Sequence, residues 1–273
     1  MNSPGYTDAS TNPIPDFGRD LKVAVDGPIG RLTLDRPEKL NPLSVDVLEG
    51  IEAAARWFDT VRGLKVIVVS GEGRSFTAGA DIAGFVGSPG DQRTTRERAD
   101  AGRRMGDALE AARAVTVARI QGHCIGGGVV LASACDFRVA ASDARFRIPE
   151  VDLGIPLAWG GVPRLIREIG APATRDLVMT CRRFDAEEAA RLGFLQRVVE
   201  PEDLDDAVDR LVSTLADKAA LPLLSTKSHV NAVTAQMTGL GRSWGEADGL
   251  VTALSDPESR KAASRYLEGL ADR

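Results

Sequence analysis

Residues 123–136 read HCIGGGVVLASACD and set three glycines in a row inside an apolar stretch. Glycine has the most backbone freedom to lose, so each one placed in a helix costs about 1 kcal/mol relative to alanine. A chain that keeps such a triplet in a run otherwise fit for burial must pass there through a bend in which side chains would collide. VTVARI, just before it, reads as a buried strand, and the residues after it are helix-compatible to about Ala134. A glycine bend from strand to helix presents unpaired main-chain N–H groups at the positive end of the helix dipole. Such donors stabilise a phosphate, or an oxyanion that develops during reaction. SFTAGADIAGF, after the strand-like KVIVVSGEGR, repeats the arrangement. Tight strand–helix packing explains either bend taken alone. Neither matches G-x-G-x-x-G or the Walker pattern, which argues against a dinucleotide or P-loop site.

The remaining segments fit the same alternation. LKVAVDGPIGRLTLDRP alternates around a Gly-Pro turn and predicts a hairpin. Ser44 opens a helix on which Leu48, Ile51, Ala55 and Phe58 recur at helical spacing, and an Arg-rich segment from Gln92 to Ala112 also reads as helix. DFRVAAS is a further short strand. Strands alternating with helices predict an α/β layered or coiled architecture. After Pro201 the texture is helical throughout, with Val208, Leu211, Val212 and Leu215 on one stripe, so 201–273 is expected to pack on the core or on another subunit. Residues 1–18, rich in Ser, Thr, Asn, Pro and Gly, read as a flexible tail.

Of the 273 residues, 43% are hydrophobic and 27% charged, as in ordinary globular proteins, and the net charge is −5. That balance weighs against broad nucleic-acid or anionic-membrane binding. The three cysteines, Cys124, Cys135 and Cys181, form no C-x-x-C and point to core thiols in a reducing compartment rather than to disulfides or a metal site. No run reaches membrane-spanning length and no signal peptide is recognisable, so a cytoplasmic location is expected.

Taken together, several stretches in order resemble the enoyl-CoA hydratase/isomerase (crotonase) superfamily over residues 20 to 270. They are RLTLDRPEKLNPLS with its Arg-Pro-x-x-x-Asn turn, SFTAGADI, IQGHCIGGGVVLASACDFRVA, ARFRIPEVDLGI and AWGGVPRLIREIG. The resemblance implies an α/β fold: a coiled β-β-α core that binds acyl-CoA over 19–200, and a C-terminal helical region that serves oligomerisation. It further implies an acyl-CoA thioester ligand, no cofactor beyond coenzyme A itself, and a homotrimer or hexamer.

By the same resemblance, the N–H groups of Ala80 and Gly127 converge on the thioester oxygen and stabilise an enolate. Ala78, Gly79, Asp81 and Ile82 line the CoA channel, although a helix N-cap explains Asp81 better. Gly126 and Gly128 give clearance. Lys39 and Leu40 contact the adenine end, and Trp159 walls the acyl group. The family's closing FLEKR lysine is replaced by Gly269 in YLEGL, leaving Arg260 or Lys261 as substitutes.

Hydratases of this family use two glutamates, and here the positions hold Val130 and Glu150. The two aspartates of the dienoyl-CoA isomerases fall at Val130 and Ala158. One carboxylate suffices to move a proton between two carbons, so the pattern favours a single-glutamate enoyl-CoA isomerase. A hydratase using Glu150 alone and a non-catalytic acyl-CoA-binding protein are the alternatives. Glu150 is expected in an apolar pocket with a raised pKa, Asp152 in a salt bridge, His123 as a satisfied core histidine, and Cys124 as a packed thiol.

Overall fold

The computed structural model describes residues 14–81, 92–239, 243 and 245–271, with residues 270 and 271 as backbone only. Strands β1 (Leu21–Asp26) and β2 (Ile29–Leu34) pair antiparallel across the Gly27–Pro28 turn. From β2 onward the sheet is parallel: β3 (Val66–Gly71), β4 (Val115–Ile120), β6 (Phe137–Ala141) and β9 (Arg197–Val199) give the order β1-β2-β3-β4-β6-β9. A second sheet pairs β5 (His123–Ile125), β7 (Arg145–Arg147) and β8 (Phe184–Asp185).

Isolated parallel bridges, Leu43 with Ala80 and Thr77 with Cys124, extend this smaller sheet. The chain therefore winds as a coil. Each turn supplies a strand to the large sheet, a short extended segment to the small one, and then a helix: α1 (Val45–Phe58), α2 (Thr95–Ala111), α3 (Gly127–Ser133) and α4 (Gly161–Thr180) in succession. Segments at equivalent points of successive turns become neighbours. That is how two glycine bends more than forty residues apart in sequence come to lie side by side.

Parallel strands covered on both faces read as continuous apolar runs, and β3 shows why. Ile67 and Val69 point into the main core with Leu32, Ala118, Ile120 and Ala140. Val66 and Val68 point the other way, with Val115, Val117, Val139 and Ala141, onto α6 (Leu204–Ala216). The stripe of α6 predicted from spacing, Val208 to Leu215, is the stripe that packs there. Each fully buried valine or leucine contributes about 1.5–3 kcal/mol of transfer free energy. Pro201 opens a 3-10 turn into α6, so the helical region begins as a layer of the same core.

Local signals set the helix starts. The Ser44 hydroxyl accepts from the Val47 N–H, and Thr94 with Glu97 forms a capping box at α2. The arginines of α2 are spent on neighbours: Arg103 pairs with Asp100 and Asp107, and Arg104 with Glu49 and Glu52 of α1. Phe17 stacks on Trp57 at 5.6 Å, so ordered packing begins within the predicted 1–18 tail; residues 1–13 lie outside the described chain.

Helix α5 (Ala186–Arg191) lies between β8 and β9, and beyond α6 come α7 (Ala220–Met237), α8 (Glu246–Ser255) and α9 (Pro257–Ala271). Helix α8 packs Ala247 and Leu250 on Ala99 of α2. In α7 Lys227 is the buried residue, donating to the Ala114 carbonyl and pairing with Asp136 at 2.8 Å.

Candidate active site

The two glycine bends are zipped together by main-chain hydrogen bonds. The Thr77 N–H donates to the His123 carbonyl at 2.9 Å, and the Ile125 N–H to the Thr77 carbonyl at 3.2 Å. The Leu43 N–H donates to the Gly79 carbonyl and the Asp81 N–H to the Leu43 carbonyl, which turns the Ala80 N–H away from that pairing. Gly127 is the first residue of α3, where an N–H has no intrahelical acceptor. Among the described residues, neither amide has a hydrogen-bond acceptor, and both residues line one cavity.

That cavity, of about 140 Å³, also contains Val130, Glu150, Leu157, Ala158 and Trp159, with Leu250, Leu254, Ala263 and Leu267 closing it from α8 and α9. Glu150 is 9% exposed, and its Oε2 has no hydrogen-bond partner among the described residues. Desolvation pushes its pKa up to about 7. A carboxylate so placed is a base near neutrality. Its loop is anchored by the Ile155 N–H donating to the Glu150 carbonyl, and the Gly126 N–H ties the second glycine bend to the Arg147 carbonyl at 2.8 Å.

Each glycine of the triplet has its own reason. A Cβ on Gly126, at φ +52°, would stand 2.6 Å from Glu150 Oε1. One on Gly127 would meet the Trp159 ring at 2.3 Å, and one on Gly128 would meet Thr77 Cγ2 at 2.5 Å. Gly79, at φ +96°, presses on the Ile125 carbonyl, where a Cβ would come within 2.6 Å. Close approach of carboxylate, indole and loop accounts for the residues that helix propensity disfavours.

Of the residues singled out in the sequence, Ala80, Gly127, Val130, Glu150 and Trp159 meet at the cavity. Gly126 backs it against Glu150. Ala78, Gly79, Asp81 and Leu40 form a connected strip beside Ala80 rather than the cavity wall, with the Ala78 N–H donating to the Leu40 carbonyl at 2.8 Å. Lys39 is exposed on the adjoining 3-10 turn. Ile82, and the helix Asp81 would cap, lie outside the described residues. Asp152 pairs with Arg147 at 2.6 Å, as expected. Cys124 is fully buried, with its thiol pKa raised by desolvation. His123 corrects the reading of a core histidine. It begins β5 with its side chain exposed, because strand alternation turns Cys124 inward and its neighbour out.

Four residues that position the site, Asn41, Gly102, Arg164 and Glu246, were assigned no role in the sequence. Asn41, 1% exposed, reaches the carbonyls of Glu72 and Ser75 (both 2.9 Å) with its amide, while its own carbonyl accepts from Thr77 Oγ1 at 2.6 Å. It is the hub of the first bend, and the Arg-Pro-x-x-x-Asn spacing was its signal. Trp159 takes φ +63° and lies over Gly102 of α2, where a Cβ would fall 1.9 Å from the ring. An isolated glycine inside a helical pattern was the available clue. Fully buried Arg164 donates to the Trp159 carbonyl (2.9 Å), Asp107 (2.8 Å) and Glu110 (3.0 Å). The Gly160 N–H donates to Glu246 of α8 at 2.6 Å, a pairing no local pattern announces.

Comparison with known proteins agrees with this architecture. The profile of the family described as enoyl-CoA hydratase/isomerase matches residues 25–272. A crotonyl-CoA hydratase of Syntrophomonas wolfei is 32% identical over 87% of this chain and 90% of its own length. A probable enoyl-CoA hydratase of Mycobacterium tuberculosis is 35% identical, over 77% and 80% respectively. Among solved structures, an enoyl-CoA hydratase from Mycobacterium avium subsp. paratuberculosis superposes with a TM-score of 0.82 at 28% identity, covering 90% of this chain and 98% of that one. The chain belongs to the enoyl-CoA hydratase/isomerase family and has the crotonase fold.

Proposed function

We infer that this enzyme shifts a double bond in an enoyl-CoA thioester from C3–C4 to C2–C3, with Glu150 as the one carboxylate that moves the proton. The observation that carries this reading is the cavity lining: Glu150 is its single acid among the described residues, and Val130 and Ala158 occupy the positions where a second would stand. The carboxylate takes a proton from C2. The N–H groups of Ala80 and Gly127 receive the charge that develops on the thioester oxygen, a contribution of about 3–4 kcal/mol per donor in other enzymes. The same carboxyl group then returns the proton at C4. Coenzyme A takes part only as the handle of the substrate, along the strip formed by Lys39, Leu40, Ala78, Gly79 and Asp81.

Hydration of a 2-enoyl-CoA by Glu150 alone is the second reading, favoured by the names of the relatives. Incubation with 3-hexenoyl-CoA and with crotonyl-CoA in oxygen-labelled water separates the two. Conversion of the first without label supports isomerisation, and a labelled 3-hydroxyacyl product from the second overturns it. Tight binding without turnover of either supports a non-catalytic acyl-CoA binder.

Assembly into a homotrimer or hexamer belongs to the same reading. It is supported by α7, whose Leu221 (80% exposed) and Met237 (76%) stand in solvent beside a groove of about 670 Å³. Isolated helices this poorly buried gain little from their own propensity and need a packing partner. Sedimentation analysis tests it, a monomer being the contrary result.

A further inference from the structure

Arg147 ends β7 three residues before Glu150, and Tyr266 sits far along the chain on α9, yet the two meet. The Arg147 guanidinium carbon lies 5.4 Å from the Tyr266 ring centroid, and Nη1 is 3.4 Å from the phenol oxygen. Its other nitrogens are committed to the Glu150 loop and the end of α4: Nη2 donates to Asp152 at 2.6 Å and Nε to the Cys181 carbonyl at 2.8 Å. Cys181, in a left-handed conformation at the end of α4, receives the Asp152 N–H on Sγ at 3.4 Å. One planar cation thus spans the Glu150 loop, the end of α4 and α9.

Two further observations tie α9 to the same place. Ala263 and Leu267, beside Tyr266 on the helix, line the Glu150 cavity. The Ser259 carbonyl of α9 sits so close to Gly154 of the Glu150 loop that a Cβ there would fall 2.2 Å from it. Tyr266 opens YLEGL near the end of α9, and its contact with Arg147 holds this end of the chain against the body. Stacking of a guanidinium on an aromatic face suits that purpose, because it tolerates partial exposure and holds orientation.

We propose that Arg147 is a positioning residue that, by stacking on Tyr266, clamps α9 over the Glu150 cavity and keeps water from the carboxylate. This rests on Glu150 being the reacting group. Among the described residues, the titratable group that acts on Glu150 is Tyr266 of α9, on which Arg147 of β7, Asp152 of the Glu150 loop and Cys181 at the end of α4 act in turn, while burial dominates at Glu150 itself. The residues α2, α3 and α8 contribute to the cavity, Thr95, Ala99, Gly127, Val130, Leu250 and Leu254, are all uncharged. Hydration of the cavity is therefore the main variable the clamp controls.

The test is a direct titration of Glu150 in the full chain labelled with carbon-13 at the glutamate carboxyl, the resonance being assigned by its loss in E150Q. In the unmutated protein the midpoint is expected near 7. In R147A and Y266A it is expected to fall by about one pH unit or more as water enters. Y266F and R147K separate stacking from charge: Y266F, which keeps the ring, retains the high midpoint, while R147K, which keeps the charge and loses the plane, does not. The acid limb of kcat/KM moves with the midpoint. Unchanged midpoints in folded R147A and Y266A would overturn the proposal, as would a midpoint near that of a solvated glutamate in the unmutated protein. Should R147A fail to fold, Y266A on the outer helix supplies the result. The titration reads the clamp whatever the turnover, whereas E150Q with full activity sinks the functional reading instead.

Discussion

The cavity has two unlike walls. One is main chain: the bends at Ala80 and Gly127, locked by hydrogen bonds between parallel segments and fully buried around Gly126 to Val130. The other is side chain: Leu250 and Leu254 of α8, Ala263 and Leu267 of α9, with Leu254 (42%) and Leu267 (46%) largely in solvent. The first wall has no slack, since every added methyl group meets an atom within 3 Å. The second is attached through a few contacts, Gly160 with Glu246, Arg96 with Asp248, and Arg147 with Tyr266. On the proposed reading, the groups that hold reacting atoms are on rigid backbone, and the groups that admit or exclude water are on helices joined to the body by fewer contacts.

Substitutions can break or sharpen that contrast. E150Q should lower kcat/KM by about 10³-fold, within the range expected for losing a general base, while leaving coenzyme A binding intact by calorimetry. In the unmutated enzyme, activity should rise with pH through about 7, because only the ionised carboxylate accepts a proton.

The same variant reports on stability with a definite sign. The folded-state pKa of Glu150 lies above the ordinary 4.5, so the native state holds a proton that the unfolded chain releases between those values. Stability is thus lost as pH rises through that window, on the order of 3 kcal/mol once it is passed. E150Q should therefore melt higher than the parent at about pH 8, and the difference should vanish near pH 4, in paired thermal scans.

On the rigid wall, G126A should reduce kcat by about 10²-fold, since the methyl group displaces the carboxylate and the positive φ adds strain; a variant with normal turnover would show that the wall yields. G102A, driven into the Trp159 ring, should cost about 1–3 kcal/mol in denaturant unfolding. At the helical wall, L254A should cost less than about 0.5 kcal/mol, because its side chain is already half in water. A loss there as large as that of G102A would erase the distinction between the walls.

Much of the rigid wall was legible in the sequence. Glycine in an apolar run, a β-branched strand before it and a helix-compatible stretch after it are local features, and VTVARI, the triplet and the helix to Ala134 appear where they read. The stripe of α6 and the cap at Ser44 were legible for the same reason. Trp159 and Gly102 are 57 positions apart and meet only because α2 crosses the start of α4. His123 was misread because its burial depends on which face of β5 meets solvent, a matter that its neighbours in sequence do not fix.

By itself the sequence determined the alternation of strands and helices and the two glycine bends, and its family resemblance pointed to a single acid where pairs are used elsewhere. These follow from backbone sterics and from which side chains carry protons, both of which are local properties. The tertiary structure alone decided that Glu150 lies buried with Oε2 unpartnered among the described residues, that an indole fills the space of two missing methyl groups, and that α9 lines the cavity. Desolvation and close packing are sums over atoms from distant parts of the chain, and only the folded coil brings those atoms together.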